Sequence, residues 1–369
     1  MPRKLFLSFL GAGIYKPASY YWASSEITTN PVEAFYVQEA VLHQIQVEEV
    51  LSFTTDAART KNYHNRLVSG GAGDAELLKN NGLESRLERL KNQGQITHFK
   101  AIDIPEGYTE EEIWRIFQQV FDHIDDGDQV YLDVTYGFRS LPLLAIVLLN
   151  YARVLRNIDV KGVFYGNFEA GKANKNSGKQ DLIQAPIFNL LAFVRLQDWV
   201  QAASAFDKGD TKELQGLLIQ SHPDLAQDLS VFTESIRASR GLEVGRDIDF
   251  TGIKQRVVRL GEDSSLEVQL KPLLKKISEK LSGFDSYQLR NGFSAVEWCI
   301  QHNMIQQGIT FLQETLVSLV IEQVGSSSLV TDLMYRTAAT GALHGYDRAY
   351  LALRVRNELN LPLTDEDVI

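Results

Sequence analysis

Cysteine is almost absent from this sequence, in which Cys299 is the only one among 369 residues. A single thiol can form neither a disulfide framework nor a cysteine-based zinc site. Such a composition is typical of reducing compartments, because disulfides persist in oxidising ones. We therefore expect a cytoplasmic protein without a cysteine-based metal site.

Long hydrophobic runs are also missing. The most apolar window, 141–149, is far shorter than the roughly 20 residues that a membrane-spanning helix needs, and polar and basic residues follow it closely. The N-terminal stretch MPRKLFLSFLGAGIYKP has a basic start and a short apolar run without a cleavage pattern. It predicts a first strand and not a signal peptide, and we expect no association with a membrane.

Positive charge is in deficit. The chain has 37 Lys and Arg against 47 Asp and Glu, which gives a formal net charge of −10. This balance argues against a broad basic surface for duplex DNA. Any contact with nucleic acid should therefore be confined to a small site.

The residues that are present follow two patterns. In the first, apolar runs of strand length alternate with helical patterns, which predicts a mostly parallel sheet with helices on both faces. Strands that are apolar throughout agree with burial on both sides of the sheet. The predicted strands are 4–11, 48–55, 97–105, 129–135 and 159–170, and the predicted helices are 32–45, 109–124 and one that starts at Leu141.

The second pattern begins after a polar loop, GKANKNSGKQD (171–181). Beyond the short stretch APIF, the patterned segments have apolar residues spaced by three and four, which is typical of helices. The predicted fold class is therefore α/β plus all-α. A Rossmann-like parallel-sheet domain is predicted over residues 1–185 and a helical domain over residues 186–369.

Three predicted strands end in glycine and hydroxyl residues, in FLGAGIYKP, DVTYGFRSLP and FYGNFEA. Ligands of doubly wound sheets bind at the carboxyl ends of the strands. Backbone N–H groups at a helix start and the guanidinium of Arg139 can both bind phosphate. The segment after the fourth strand thus predicts an anion site, with Ser140 as helix N-cap and Pro142 in the first turn. The alternative is an ordinary turn at Gly137 with a surface arginine.

A dinucleotide site is disfavoured. Gly11-Ala12-Gly13 begins like the dinucleotide fingerprint, but the third position is Lys16 and no acidic residue is suitably placed after a second strand. The phosphate-loop pattern GxxxxGK[ST] does not occur either. These departures argue against a nicotinamide enzyme and a P-loop enzyme.

A family resemblance follows from four strings: LDVTYGFRSLP, FLSFLGAGIYKP, YGNFEA and APIFNLLAFVRLQDWVQAASAF. Together they resemble the CRISPR-associated proteins of the Csx1/TM1812 (Csx2-like) type, in the right order and over most of the chain. Those proteins join a CARF domain, a Rossmann-like sensor of cyclic oligoadenylates, to a helical HEPN domain. The first string is the most specific, with Tyr136 where the family often has His.

The resemblance implies a homodimer that encloses one cyclic tetra-adenylate or hexa-adenylate, with the tetra-adenylate favoured. No cofactor is implied besides this activating ligand. The implied ligand-binding residues lie in the three strand-end segments and are Gly11, Ala12, Gly13, Tyr15, Thr135, Gly137, Phe138, Arg139, Ser140, Tyr165 and Gly166.

For the helical half, the resemblance implies a ribonuclease motif of Arg, four to six residues and His. The arginine would stabilise the phosphate and the histidine would move a proton while the RNA 2′-OH attacks, so no metal is needed. The matching string RVRNELNLPLTDEDVI makes Arg356 and Asn357 the catalytic candidates, but Leu361 occupies the histidine position. Relatives are expected to carry a further helix after this string.

The other histidines offer no clear replacement. No histidine follows His344, and the literal match Arg59…His64 lies in the first half, where we interpret it as a chance match in a loop. His344 and His302 are interpreted as helix-end or packing residues.

Three functions are therefore compatible with the sequence. The favoured one is a cyclic-oligoadenylate sensor of type III CRISPR defence with weak or absent ribonuclease activity towards single-stranded RNA, in which the sensor pocket could act as a ring nuclease. The alternative is a fully active, metal-independent endoribonuclease activated by the ring. The least favoured is an unrelated nucleotide-binding enzyme with a helical dimerisation domain.

Overall fold

A computed structural model describes residues 2–23, 30–65, 82–136, 141–173, 182–206, 208–219, 222–262, 271–286, 288–324, 327–345, 347 and 350. The chain divides into two compact units, Met1–Val194 and Arg195–Ile369. No helix in the described ranges is long and apolar enough to cross a membrane.

The first unit contains one sheet, to which nine strands of the described residues belong. The strands are β1 (Lys4–Leu10), β2 (Ala18–Trp22), β3 (Val32–Ala34), β4 (Glu49–Thr54), β5 (His98–Asp103), β6 (Gln129–Asp133), β7 (Asp159–Gly166), β8 (Lys172–Ala173) and β9 (Ile183–Asn189). The helices are α1 (Val37–Leu42), α2 (Asp56–Ala58), α3 (Leu83–Asn92), α4 (Glu110–Asp122) and α5 (Leu141–Arg156), and a π-helical turn (Arg59–Tyr63) follows α2.

The strand order is β3-β2-β9-β7-β6-β1-β4-β5, with β8 paired to β9. The central ladders β7–β6, β6–β1, β1–β4 and β4–β5 are parallel, and so is β2–β9. The ladders β2–β3, β7–β9 and β8–β9 are antiparallel. All five predicted strands are present, and the sheet is mixed with a parallel centre.

Strand β1 is buried on both faces, which explains its unbroken apolar sequence. Leu5 and Leu7 belong to a core that includes side chains of α4 and α5. Phe6 and Leu10 point the other way, into a core that includes side chains of α1 and α3. Successive side chains of a strand alternate between faces, so a central strand covered on both sides needs apolar residues at every position.

Two predictions about the first unit require correction. The segment 32–45, predicted as one helix, contains β3 and α1, because Val32–Ala34 pairs with β2. Short apolar runs do not distinguish a strand from a helix by periodicity. The boundary predicted at residue 185 falls within β9, whose last residues pair with β7, so the division lies later, after Val194.

In the second unit, the described residues form α-helices and no β-strand. The helices are α6 (Leu191–Phe206), which starts before the division, α7 (Lys212–Leu218), α8 (Pro223–Arg237), α9 (Gly241–Arg246), α10 (Phe250–Glu262), α11 (Lys271–Lys280), α12 (Asn291–Gln301), α13 (Ile305–Val324) and α14 (Leu333–Leu343). Aromatic rings fill the centre of its core, where Phe232 contacts Phe250, Phe284 and Trp298 at centroid distances of 5.5, 5.1 and 5.2 Å.

Candidate functional site: a cavity at the carboxyl ends of the strands

The strand order reverses between β1 and β6. These strands are neighbours, but from β1 the order continues to β4 and β5 on one side, and from β6 it continues to β7 on the other. In open α/β sheets, ligands bind in the crevice that such a reversal creates at the carboxyl ends of the strands. Gly11 follows β1 and Thr135 lies just after β6, so both residues lie at this crevice.

A cavity of about 350 Å³ occupies this position. Its walls come from the ends of β1, β4, β5 and β6 and from the segments that follow them. The lining residues are Phe9, Leu10, Gly11, Ala12, Gly13, Tyr15, Phe53, Thr55, Ile104, Glu106, Thr135 and Tyr136.

Two side chains hold the backbone of the turn after β1. The Tyr15 hydroxyl accepts a hydrogen bond from the Gly11 N–H at 2.9 Å and lies 3.2 Å from the Gly11 carbonyl oxygen. The Asn62 Nδ2 donates to the carbonyl oxygens of Gly11 and Gly13, at 2.7 and 2.8 Å. Two side chains therefore determine how this turn faces the cavity.

Asn62 is a residue that sequence reasoning missed. It lies in the π-helical turn Arg59–Tyr63, a segment that we interpreted as a loop. Isolated π-helical turns occur frequently at functional sites, but no simple sequence pattern identifies them. The burial of this asparagine would have indicated a structural role. The burial depends on contacts with residues that are remote in sequence, so the sequence alone does not show it.

The segment after β6 is held by the buried carboxylate of Asp133. Its Oδ1 accepts hydrogen bonds from the N–H and the hydroxyl of Thr135, at 3.0 and 2.5 Å. The Thr135 hydroxyl in turn accepts from the Gly166 N–H at 2.8 Å, which connects β6 to β7. A side chain at position 166 would meet Val37 at 2.3 Å, so this close approach requires glycine.

Asp133 is fully buried, and burial raises the pKa of its carboxyl to about 7, against the opposing effect of the bonds from Thr135. Its second oxygen, Oδ2, has no hydrogen-bond partner among the residues that the structure describes. A buried carboxylate oxygen without a partner disfavours the charged form. The carboxyl group therefore changes charge near neutral pH.

Four tyrosines pack beside the cavity. The Tyr15 ring lies 5.1 Å from the Tyr36 ring and 4.3 Å from the Tyr136 ring, in tilted and edge-on contacts. The hydroxyls of Tyr136 and Tyr20 are 3.3 Å apart, and the Tyr36 hydroxyl donates to the Asn62 carbonyl oxygen at 3.0 Å. Burial raises the pKa of Tyr15, Tyr20 and Tyr136, so these hydroxyls stay neutral.

The predicted ligand-binding residues fall into three groups. Gly11, Ala12, Gly13, Tyr15 and Thr135 line the cavity together. Gly166 is not part of the cavity lining but donates a hydrogen bond to Thr135, which is. Tyr165 lies on β7 and is not part of the lining. The third group, Gly137, Phe138, Arg139 and Ser140, lies outside the described residues, as do Arg356, Asn357 and Leu361.

The histidines that we interpreted as helix-end residues have that position. His302 is the C-cap of α12, where its Nδ1 donates to the Trp298 carbonyl oxygen at 2.6 Å and its ring stacks on the Trp298 ring. His344 is the C-cap of α14, with its Nδ1 2.7 Å from the Thr340 carbonyl oxygen.

No group of three or more His, Cys, Asp or Glu side chains within the described ranges could hold a metal ion.

The first unit has a doubly wound sheet and a cavity at the point where the strand order reverses. This is the arrangement found in α/β domains that bind ligands. Residues 5–169 match the family model of the CARF domain of the CRISPR system endoribonuclease Csx1. The match lies within the first unit and does not extend to the helical unit.

One curated relative is a CRISPR-associated protein of Methanocaldococcus jannaschii. It is 26% identical over 232 residues, which cover 61% of this chain and 34% of the relative. The matched region therefore spans about a third of the relative's length.

A solved structure of Csm6 from Enterococcus italicus, bound to cyclic hexa-2′-fluoro-hexa-dAMP, shares 12% sequence identity with this chain. The comparison covers 99% of this chain and 83% of the other, with a TM-score of 0.38, so the overall similarity is low.

Proposed function

We propose that this protein is a cytoplasmic sensor of type III CRISPR defence that binds a cyclic oligoadenylate in the cavity of its first unit, with the tetra-adenylate favoured over the hexa-adenylate. The observation that carries the proposal is the convergence of Gly11–Gly13 and Thr135 on one cavity at the reversal point of a sheet that matches the CARF model. Backbone that approaches a ligand closely and helix N-termini both suit a phosphate-rich ring.

The volume of the cavity supports a ligand that is shared between two protomers. Pockets for whole small molecules measure roughly 300–1,000 Å³, and this one, at about 350 Å³, is near the lower end. It suits one nucleotide of a ring, and the remainder of the ring must contact other surface. A ring with two-fold symmetry meets a second, identical cavity when two protomers pair about the same axis.

An exposed apolar stripe on α5 supports pairing with a second copy. Leu143, Val147, Tyr151 and Val154 are 72, 54, 47 and 83% exposed and follow one another at intervals of four, four and three residues. Helix residues at these intervals lie on one face. This helix begins at Leu141, a few residues after Tyr136, which lines the cavity.

For the second unit, we propose an RNase-type HEPN domain with weak or absent activity towards single-stranded RNA. The reason is Leu361, because leucine neither accepts nor donates the proton that this chemistry requires. The sensor cavity could still cleave the bound ring. The alternative is a fully active, ring-activated, metal-independent endoribonuclease in which another group replaces the histidine.

Binding and cleavage can be measured on the same sample. The purified protein is incubated with cyclic tetra-adenylate or cyclic hexa-adenylate together with a reporter RNA, and ligand and RNA are resolved by chromatography. We expect one ring to bind and the reporter to remain mostly intact. If neither ring binds, the sensor proposal is wrong. If the reporter is cut efficiently when a ring is present, the alternative holds.

A further inference from the structure

The cavity contains a carboxylate, which is unexpected in a site for a polyanion. Glu106 lines it together with the Gly11–Gly13 turn and Thr135. No described residue forms a hydrogen bond or an ion pair with the Glu106 side chain. At close range in partly desolvated surroundings, this carboxylate would repel ligand phosphates by an energy well above that in bulk water.

A carboxylate can be tolerated next to such a ligand if it accepts a hydrogen bond from it. An ionised carboxylate is only an acceptor. A cyclic oligoadenylate has two kinds of donor, the exocyclic amino group of adenine and the ribose 2′-hydroxyl. The chemistry of the cavity therefore restricts what can face Glu106.

The walls near Glu106 favour the base over the ribose. Phe9, Phe53 and Ile104 form an apolar floor of the same cavity, where their side chains are 4, 0 and 7% exposed and the ring centroids of Phe9 and Phe53 lie 5.5 Å apart. The flat face of a nucleobase packs well against apolar and aromatic side chains. An apolar wall gives no comparable contact to a hydroxylated sugar.

A second polar group lies on the neighbouring strand end. Thr55 follows β4, is 5% exposed and lines the cavity. Its hydroxyl oxygen accepts from the Ala58 N–H at 3.3 Å, which leaves the hydroxyl proton able to donate. Strands β4 and β5 are parallel neighbours, with Thr54 opposite Asp103, so Thr55 and Glu106 emerge from adjacent strand ends.

We propose that Glu106, together with Thr55, reads the Watson–Crick edge of one adenine and makes the cavity an adenine-selective base subsite. Adenine presents there an amino donor next to the N1 acceptor, which matches a carboxylate acceptor next to a hydroxyl donor. Hypoxanthine presents an oxo acceptor next to an N1–H donor and places its oxygen against the Glu106 carboxylate. This inference rests on the proposed function, because it concerns the base of the same ring.

The test compares affinities for two rings of the size that the protein binds, one of adenylate and one of inosinate, by calorimetry on the full chain. We expect the unmodified protein to prefer the adenylate ring by about 10- to 100-fold, the scale of a hydrogen bond to a charged group. Glu106→Gln supplies an acceptor and a donor, so it should keep the adenylate affinity within about threefold and bring the two affinities to within about threefold of each other.

Glu110→Gln is the matched control, because it removes the same charge from an exposed position in the first turn of α4, outside the cavity. It should leave the ratio of the two affinities unchanged. If Glu106 only repels phosphate, Glu106→Gln will strengthen the binding of both rings equally and preserve the ratio, and that result overturns the inference.

A third ring, of 2′-deoxyadenylate, separates the base from the sugar. We expect Glu106→Ala, which removes the acceptor, to lower its affinity by the same factor as that of the ribose ring, about 10- to 100-fold. A deoxy ring whose affinity does not respond to Glu106→Ala, while that of the ribose ring does, would show that Glu106 contacts the 2′-hydroxyl and would overturn the base assignment. If no adenylate ring binds the unmodified protein, the proposed function and this inference are both overturned.

Discussion

The side-chain amide of Asn62 donates to the carbonyl oxygen of Gly11 at 2.7 Å, across 51 residues of sequence. The same amide nitrogen donates to Gly13 at 2.8 Å. One buried side chain thus connects the π-helical turn after α2 to the glycine turn after β1. Because this turn lines the cavity, Asn62 contributes to the site without contacting the ligand space.

Replacing Asn62 should therefore disturb the site more than the fold. Asn62→Ala removes the two hydrogen bonds to the Gly11 and Gly13 carbonyl oxygens, which together contribute about 1–3 kcal/mol. We expect the free energy of unfolding to fall by about that amount and the ring affinity to fall by at least tenfold. Denaturant unfolding and calorimetry measure the two effects.

Asn92→Ala is a suitable control, since Asn92 is exposed at the end of α3. It should leave both quantities unchanged. An Asn62→Ala variant that binds the ring normally would show that the turn keeps its position without this amide.

The raised pKa of Asp133 predicts a dependence of stability on pH. In the unfolded chain an aspartate has a pKa of about 3.9, whereas in the folded protein burial raises it to about 7. The folded state therefore binds the proton more tightly. The contribution to stability is complete below about pH 4 and is lost as the pH rises to about 7, with a slope of at most about 1.4 kcal/mol per pH unit.

Denaturant unfolding of the unmodified protein and of Asp133→Asn between pH 5 and pH 8 isolates this contribution. Asparagine retains an oxygen that can accept from Thr135 but does not titrate. As the pH rises, we expect the unfolding free energy of the unmodified protein to fall relative to that of Asp133→Asn. A difference that stays constant over this range would contradict the raised pKa.

The apolar stripe on α5 predicts where two copies meet. Val154 is 83% exposed, so Val154→Glu should not disturb the core, but it places a charge on the proposed interface. We expect sedimentation to show a dimer for the unmodified protein and a monomer for this variant at micromolar concentration. Val258→Glu, on α10 in the second unit and 50% exposed, should remain dimeric. If Val154→Glu also stays dimeric, the interface lies elsewhere.

Arg139 is expected to bind a phosphate of the ring. Arg139→Ala should weaken ring binding by about 1.5–3 kcal/mol, the scale of a hydrogen bond to a charged group. We expect the unfolding transition to stay the same. Arg115→Ala, on the exposed side of α4, provides the control for loss of one positive charge. Calorimetry that finds the same affinity for Arg139→Ala and Arg115→Ala would identify Arg139 as an ordinary surface residue.

The residue at position 361 is expected to limit RNA cleavage. Loss of a general acid–base lowers rates by about 10²–10⁴-fold, and histidine is the side chain suited to that role near neutral pH. Leu361→His should therefore raise ring-dependent cleavage of a reporter RNA and leave the ring affinity unchanged, whereas Leu361→Ala should change neither. Efficient cleavage by the unmodified protein that Arg356→Ala abolishes would show that another group has taken over the proton transfer.

Much of the first unit could be predicted from the sequence. Local patterns of apolar residues predict the five strands of the parallel part of the sheet and helix α4. A glycine-rich break after a strand predicts the start of α5. These patterns are readable because a central strand covered on both faces must be apolar throughout. The residues of the glycine turn and Thr135 were found for a related reason, since doubly wound sheets bind ligands at their strand ends.

Other parts of the sheet could not be predicted. β3 has only three residues, Ser19 interrupts the apolar residues of β2, and β9 contains Gln184 and Pro186, so no continuous apolar run marks any of them as a strand. Their identity depends on partners: β9 pairs with both β2 and β7, which precede it in the sequence by many residues. Register of this kind is a property of the assembled sheet.

The sequence alone therefore determined the alternation of strands and helices, the helical character of the second half and the positions of Gly11–Gly13 and Thr135 at strand ends, because each depends on residues that are close in the chain. The tertiary structure decided the rest of the site. The amide of Asn62 acts on Gly11 and Gly13, the pKa of Asp133 is raised by burial, and Glu106 shares a cavity with Thr55. Desolvation and convergence of this kind depend on packing between distant segments, which no local pattern specifies.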